Sequence, residues 1–246
     1  MSRLIDKIKK QSEQLPVPMG FRRALPQDAA PSILLIAKVN ADAVLFADEN
    51  SQLTAAAFKK IMKPLKDVPL GLFLEESKEK PAALEEAGCD FMVISPMSQL
   101  KTMPKNEKTG KILQVDSSMD DGLLHAINDL PADAALVTDS FGEGNELVWH
   151  HLMLLRHMAM LISKPLLVQV PAGICEAELK ALWDAGIEAV VVPVDVSKEE
   201  NLKELHEIAL KLPRRTPKKQ GKMNVFLPRQ AESKEAPPPQ EEEEDE

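Results

Sequence analysis

Residues 182–194 read LWDAGIEAVVVPV: the end of a helix, a glycine turn, an acid, then an unbroken apolar run. Three other stretches have the same construction: IAKVNADAVLFAD (36–48), LEEAGCDFMVISP (84–96) and INDLPADAALVTD (127–139). In each, an amphipathic helix ends, a small or turn residue follows, and an acid (Asp42, Asp90, Asp133 or Glu188) precedes the apolar run. A short run that is apolar at every position fits a strand covered on both faces, as in a parallel sheet.

Between these four lies a second set, VPMGFRR (17–23), VPLGLFLEE (68–76), KILQVDS (111–117) and KPLLVQVPAG (164–173), three of them entered through proline. Proline at a strand's first residue removes no ladder bond and stops the helix before it. Val17-Pro18-Met19-Gly20 recurs as Val68-Pro69-Leu70-Gly71, the mark of a repeated βαβα unit. Helices are expected over Ala29–Asn40, Thr54–Lys66, Lys80–Ala87, Asp120–Leu130, Glu146–Ser163, Glu176–Ala185 and Lys198–Lys211. The stretch after Pro96 carries both Pro and Gly and reads mostly as loop. Eight strands alternating with helices define the α/β class and predict a closed (β/α)8 TIM barrel. An open doubly wound sheet alternates in the same way; the strand count and the four matching junctions favour the barrel.

The barrel is expected over residues 15–212. Before it, residues 1–14 form an amphipathic helix with Leu4, Ile5 and Ile8 on one side, suited to covering the barrel floor, with membrane-surface binding as the competing role. After it, residues 213–246 are read as a largely disordered tail. Lys211 to Arg229 holds seven basic residues and no acid, while Gln230 to Glu246 holds eight acids and one lysine. Such block-charged sequence buries too little apolar area to offset its ordering entropy. The tail is a candidate contact for a protein partner, and Met223–Leu227 a short apolar run that could dock.

The chain has 246 residues, a net charge of −9, and 4% aromatic residues with no tyrosine. That excludes nucleic acid as a partner, since phosphate is repelled and few rings are available for base stacking. Two cysteines are too few for a disulfide framework, and no apolar signal region opens the chain, so a cytoplasmic location is expected. Leu147–Ile162 carries His150, His151, Arg156 and His157 and reads as a half-buried helix, so no membrane span is expected.

Barrel active sites lie at the C-terminal ends of the strands. In this sequence those ends carry Arg22 and Arg23; Asp48 and Glu49; Glu75 and Glu76; Ser95; Asp116 and Ser117; Thr138, Asp139 and Ser140; Gln169, Pro171 and Gly173; and Asp195. Acids at five of eight ends predict a carboxylate-lined mouth, although acids also favour helix N-termini, an explanation that fits Asp120 and Glu146 well. All five histidines fall in expected helices, which disfavours histidine catalysis. Lys38 is expected in a helix, and Lys111 and Lys164 precede their strands, which disfavours a Schiff base. His150 and His157 stand two helical turns apart, too far to share one ion easily.

Carboxylates, hydroxyls and arginines remain. Asp116, Asp139 and Glu75 are the candidate catalytic residues. Arg22, Arg23, Ser95, Ser140 and Gly173 are the candidates for substrate binding, and Asp48, Asp116 and Asp139 are candidate ligands for Mg²⁺, a hard cation that prefers oxygen.

The stretch LLVQVPAGICEAELKALWDAGIEAVVVPV (166–194) resembles the closing quarter of aldolase-type, phosphate-binding (β/α)8 barrels. Pro171-Ala172-Gly173-Ile174 is similar to their loop after strand seven, and Ala185 to Ala189 to their approach to strand eight. The resemblance implies backbone amides that bind phosphate. The chain departs from it after strand eight, where Pro193-Val194-Asp195-Val196-Ser197 has no glycine and carries an acid; Asp195, Glu176 and Glu178 all oppose a phosphate. FMN, which would need the same amides, is disfavoured, and Gly142-Glu143-Gly144 lacks the spacing of a dinucleotide fingerprint. Cys175, at a helix N-terminus but beside two glutamates, reads as an inert small residue, and Cys89, at a floor turn, as a packing residue.

The sequence therefore predicts a lyase or isomerase acting on a small anionic metabolite through carboxylates, with or without a divalent metal. The alternative is a catalytically degenerate barrel that serves as a binding or scaffold protein.

Overall fold

Seven of the eight expected strands form in the stretches named above, and the remaining barrel position is filled from a different segment. The computed structural model describes residues 2–12, 33–36, 41–46, 58–59, 68–74, 81–138, 147–171, 173–192 and 199–212. Its strands are β1 (Leu34–Ile36), β2 (Val44–Phe46), β3 (Leu70–Phe73), β4 (Phe91–Ile94), β5 (Gly110–Val115), β6 (Ala134–Val137), β7 (Leu166–Gln169) and β8 (Ala189–Val191). They form one parallel sheet in the order β1-β8-β7-β6-β5-β4-β3-β2, and a parallel bridge from Ile36 to Ala43 brings its two ends together into a near-closed barrel.

The described helices are α1 (Arg3–Ser12), α2 (Pro81–Glu86), α3 (Asp121–Ala126), α4 (Trp149–Leu161), α5 (Glu176–Ala185) and α6 (Glu199–Lys211). Only a 3₁₀ turn, Leu100–Thr102, follows β4, in keeping with the Pro- and Gly-containing stretch there. Gly186 ends α5 at a φ of 113°, a conformation glycine adopts without a side-chain penalty. No described helix is long and apolar enough to cross a membrane. The chain divides into two units, Met1–Thr216 and Pro217–Glu246; the second unit and the expected tail lie outside the described residues.

The expected first strand, 17–23, also lies outside the described residues, and its barrel position beside β8 is held by Leu34–Ile36. The expected helix Ala29–Asn40 is thereby corrected. Ile33, Leu34, Leu35 and Ile36 are all buried, on alternating sides of the sheet. The Leu34 amide donates to the Glu188 carbonyl at 3.0 Å and the Val192 amide to the Ile36 carbonyl at 2.9 Å. The bridge from Ile36 to Ala43 leaves only residues 37–42 between the strands, fewer than the dozen or more of a helical crossover.

Alternation along the strands builds two cores. Leu34, Ile36, Ala43, Leu45, Phe91, Val93, Ile112, Ala134, Leu136, Leu167, Ala189 and Val191 fill the barrel. The intervening residues, such as Val115, Val137, Val168 and Val190, pack outward against Leu155 and Met158 of α4 and Leu179 and Leu182 of α5.

Helix α1 covers the barrel floor. Leu4, Ile5 and Ile8 are at most 1% exposed and join the barrel's interior cluster, so the face proposed for a membrane surface is occupied by the protein itself. Gly110 makes room for this contact: a Cβ there would lie 2.9 Å from Ser2. The buried Asp90 carboxylate accepts from Ser2 Oγ (2.7 Å), the Arg3 amide (2.9 Å) and the Leu4 amide (3.0 Å), with Arg3 Nε at 3.4 Å. A carboxylate at a helix N-terminus satisfies amides that have no intrahelical partner and meets the positive end of the dipole. Two other junction acids also serve the floor: Asp42 accepts the Leu35 amide at 3.1 Å and Asp133 the Lys111 amide at 2.9 Å.

Candidate active site

At the opposite end of the barrel the apolar interior gives way to polar residues. Ile112 and Leu136 point inward, so alternation turns Gln114, Asp116 and Thr138 the same way; Leu167 does the same for Gln169, and Val93 for Ser95. Gln114 Nε2 donates to Thr138 Oγ1 at 2.9 Å, joining β5 to the residue after β6. Val137 pairs with Val168, so Thr138 and Gln169 are the next positions along adjacent strands. Gln114, Thr138 and Gln169 are half-buried.

Of the expected site residues, the structure describes Ser95, Asp116 and Gly173. Ser95 is buried, and its hydroxyl oxygen accepts the Met97 amide at 3.2 Å in the turn that leaves β4. Asp116 is half-buried just after β5, with Oδ1 accepting the Ser118 amide at 2.7 Å and its carbonyl the Met119 amide at 3.3 Å. This Asx-type turn fixes the carboxylate at the mouth. Gly173 is exposed, outside the positive-φ region, and a Cβ built on it meets nothing within 4 Å. Neither packing nor backbone conformation requires glycine there, and the space around it is open.

Arg22, Arg23, Asp48, Glu75, Asp139, Ser140 and Asp195 lie outside the described residues. With β1 at Leu34–Ile36, the arginines no longer follow the strand that holds the first barrel position, whereas Lys38 stands two residues beyond Ile36 in the chain. The expectation that no lysine follows a barrel strand is corrected by this shift. The Mg²⁺ set Asp48, Asp116 and Asp139 has one described member, and no three His, Cys, Asp or Glu side chains converge among the described residues.

The helix-cap explanation of the acids holds where it is visible. Asp120 caps α3 by accepting the Leu123 amide at 2.8 Å, and Glu178 reaches back to the Cys175 amide at 2.8 Å. The histidines lie in α3, α4 and α6; His157 bonds Asp121 at 2.8 Å on the outside, and His206 approaches Asp42 at 3.7 Å. Cys175 is exposed, while Cys89 is buried with its thiol 3.1 Å from the Phe91 carbonyl. Burial pushes that thiol up to about 12. Lys164 bonds the Leu130 carbonyl near the strand entrances, and desolvation lowers its pKa.

Gln114 was not among the expected site residues, and Thr138 and Gln169 were noted only as strand-end residues. The available signal was period two: once Ile112 is inside, Gln114 two residues later must be inside as well.

No protein-family model matches the sequence, and no curated protein is similar to it. Similar solved structures include 3-keto-L-gulonate-6-phosphate decarboxylase from Vibrio cholerae, with a TM-score of 0.58 and 12% identity over 73% of this chain and 97% of that one. A 3-hexulose-6-phosphate synthase has a TM-score of 0.53 and 14% identity over 68% of this chain and 87% of that one. A mutant tryptophan synthase α-subunit from Pyrococcus furiosus has a TM-score of 0.53 and 14% identity over 69% of this chain and 85% of that one. Identities this low speak to architecture alone, and the architecture is that of a (β/α)8 barrel.

Proposed function

We propose that the chain is a lyase or isomerase that acts on a small anionic metabolite at the C-terminal mouth of the barrel. The observation that carries this reading is the layer of Gln114, Thr138 and Gln169 above an apolar interior, with Asp116 in the turn just after β5. Barrel enzymes place their substrates at this C-terminal end of the strands, above a packed interior. The open space over Gly173 supports the approach of an anionic group to the loop after β7. Two of the similar structures are named as enzymes of phosphorylated compounds, which supports the same substrate class.

In this reading Asp116, Asp139 and Glu75 exchange protons with the substrate, while Arg22, Arg23, Ser95, Ser140 and Gly173 bind it. Asp48, Asp116 and Asp139 are the residues that would hold Mg²⁺, which when bound polarises a carbonyl. Lys38 joins the candidates because of its place after β1. The competing reading, a barrel that binds a partner without catalysis, draws on Trp149 (83% exposed), Met153 and Met160, which lie along one side of α4.

The test is thermal unfolding of the full chain with inorganic phosphate, followed by crystals soaked in Mg²⁺ and a mixture of phosphorylated metabolites. A ligand at 100 times its Kd stabilises the native state by about 2.7 kcal/mol. A rise in Tm and density over the mouth are expected; an unchanged Tm and an empty mouth would leave the scaffold reading.

A further inference from the structure

The hydrogen bond between Gln114 and Thr138 has a direction. The Gln114 amide N–H donates to Thr138 Oγ1 at 2.9 Å, so the threonine hydroxyl acts as an acceptor in this contact and its own proton is free to point elsewhere. Gln114 Oε1 is the remaining acceptor of the same amide. A donor and an acceptor are thus presented side by side, one on β5 and one just after β6, at the end of the paired β5–β6 register. On the far side of Thr138, Gln169 brings a second carboxamide to the same level. No hydrogen bond joins the Gln169 side chain to another described residue.

An alcohol both donates and accepts, and so matches such a pair. An alkyl chain would strip water from the three side chains and return nothing. A phosphate or carboxylate oxygen could use the Thr138 hydroxyl and the second Nε2–H of Gln114, but having no proton it would leave Gln114 Oε1 without a donor. These three residues are therefore suited to the uncharged body of a substrate. We infer that Gln114, Thr138 and Gln169 determine specificity by reading a hydroxyl group in the body of the substrate, and that the mouth selects hydroxylated anions over alkyl anions of the same charge and length. The inference rests on the proposed substrate site and adds to it which part of the ligand these side chains recognise.

Sites built to hydrogen-bond a hydroxyl reject the analogue lacking it strongly, because buried polar groups are then left unpaired. Equilibrium binding to the full chain is compared by calorimetry for D-ribose 5-phosphate and pentyl phosphate, which share the phosphate and the five-carbon length. The wild type is expected to bind the ribose compound at least about tenfold more tightly. Thr138→Val and Gln114→Leu should bring that ratio close to one, mainly by weakening the ribose compound, whereas Thr138→Ser, which keeps the hydroxyl, should preserve it.

Equal binding of the two probes by the wild type, or a ratio unchanged in folded Thr138→Val and Gln114→Leu, overturns the inference while leaving an anion site at the mouth. Failure of both probes to bind overturns the anion site and the inference together. If Thr138→Val does not fold, the comparison of Gln114→Leu with Thr138→Ser decides the matter.

Discussion

Gly71 and Phe91 are paired across β3 and β4, and the Phe91 ring fills the space where any side chain on Gly71 would stand. A Cβ on Gly71 would lie 2.2 Å from Phe91 Cε2, far inside van der Waals contact. Phe91 is fully buried within the barrel, so the ring has little room to retreat. Overpacking of this kind costs about 1–3 kcal/mol and occasionally more. Gly71→Ala should lower unfolding stability in urea by at least that amount, and pairing it with Phe91→Leu should recover part of the loss. A neutral Gly71→Ala would show that the glycine does not serve the ring.

Asp90 holds α1 to the floor through donors from Ser2, Arg3 and Leu4. Hydrogen bonds to a charged group contribute about 1.5–3 kcal/mol each, and removing the acceptor leaves buried donors unsatisfied. Asp90→Ala should destabilise the protein by at least about 2 kcal/mol and raise amide exchange across Leu4–Ile8 before the barrel opens. Ile8→Ala, which leaves a cavity against the interior cluster, should cost about 2–5 kcal/mol. Slow exchange in Asp90→Ala would place the anchoring in the apolar contacts alone.

The two thiols should differ in reactivity. Cys175 is exposed and Cys89 is buried, so a disulfide reagent should titrate one thiol in the native protein and none in Cys175→Ser until denaturant is added. The Cys89 pKa is raised from 9.0 to about 12 in the folded protein, chiefly by desolvation. The unfolded chain therefore releases this proton first as pH rises. The stabilisation is complete below pH 9 and is lost progressively between pH 9 and about pH 12. Wild-type Tm should fall more steeply across that window than that of Cys89→Ala; parallel curves would remove the thiol as the cause.

Asp116 shapes a turn and is also a candidate ligand. Asn keeps an oxygen that can accept the Ser118 amide, so Asp116→Asn should change stability by no more than about 0.5 kcal/mol in the absence of metal. If the carboxylate helps to hold Mg²⁺, the same variant should lose the rise in Tm that Mg²⁺ produces in the wild type. Equal Mg²⁺ responses in the two proteins would take Asp116 out of the proposed metal set.

Four strands were legible because their junctions repeat one construction, and helix α5 could be read to the residue from Glu176 to the glycine at its end. The α1 face was legible because Leu4, Ile5 and Ile8 share one side of an otherwise charged helix. The first strand was not. SILLIAK is apolar in every register, and period alone does not separate a short buried strand from a segment of buried helix. A helix over Ala29–Asn40 puts Arg22 and Arg23 at the first strand end, whereas β1 at Leu34–Ile36 puts Lys38 two residues past it in the chain. The junction acids were read in sequence order, but Asp42, Asp90 and Asp133 serve the floor by accepting backbone amides.

The sequence by itself determined the alternation of strand and helix, the polar side of α1, the helical placement of every histidine and the block charges of the tail, because each depends on residue type and local spacing. Tertiary structure alone decided that residues 34–36 form a strand, since only the carbonyl and amide groups beside β8 could pair that backbone. It also decided that Gln114 meets Thr138: their contact depends on the β5–β6 register, and side chains 24 positions apart become neighbours only when the barrel sets it.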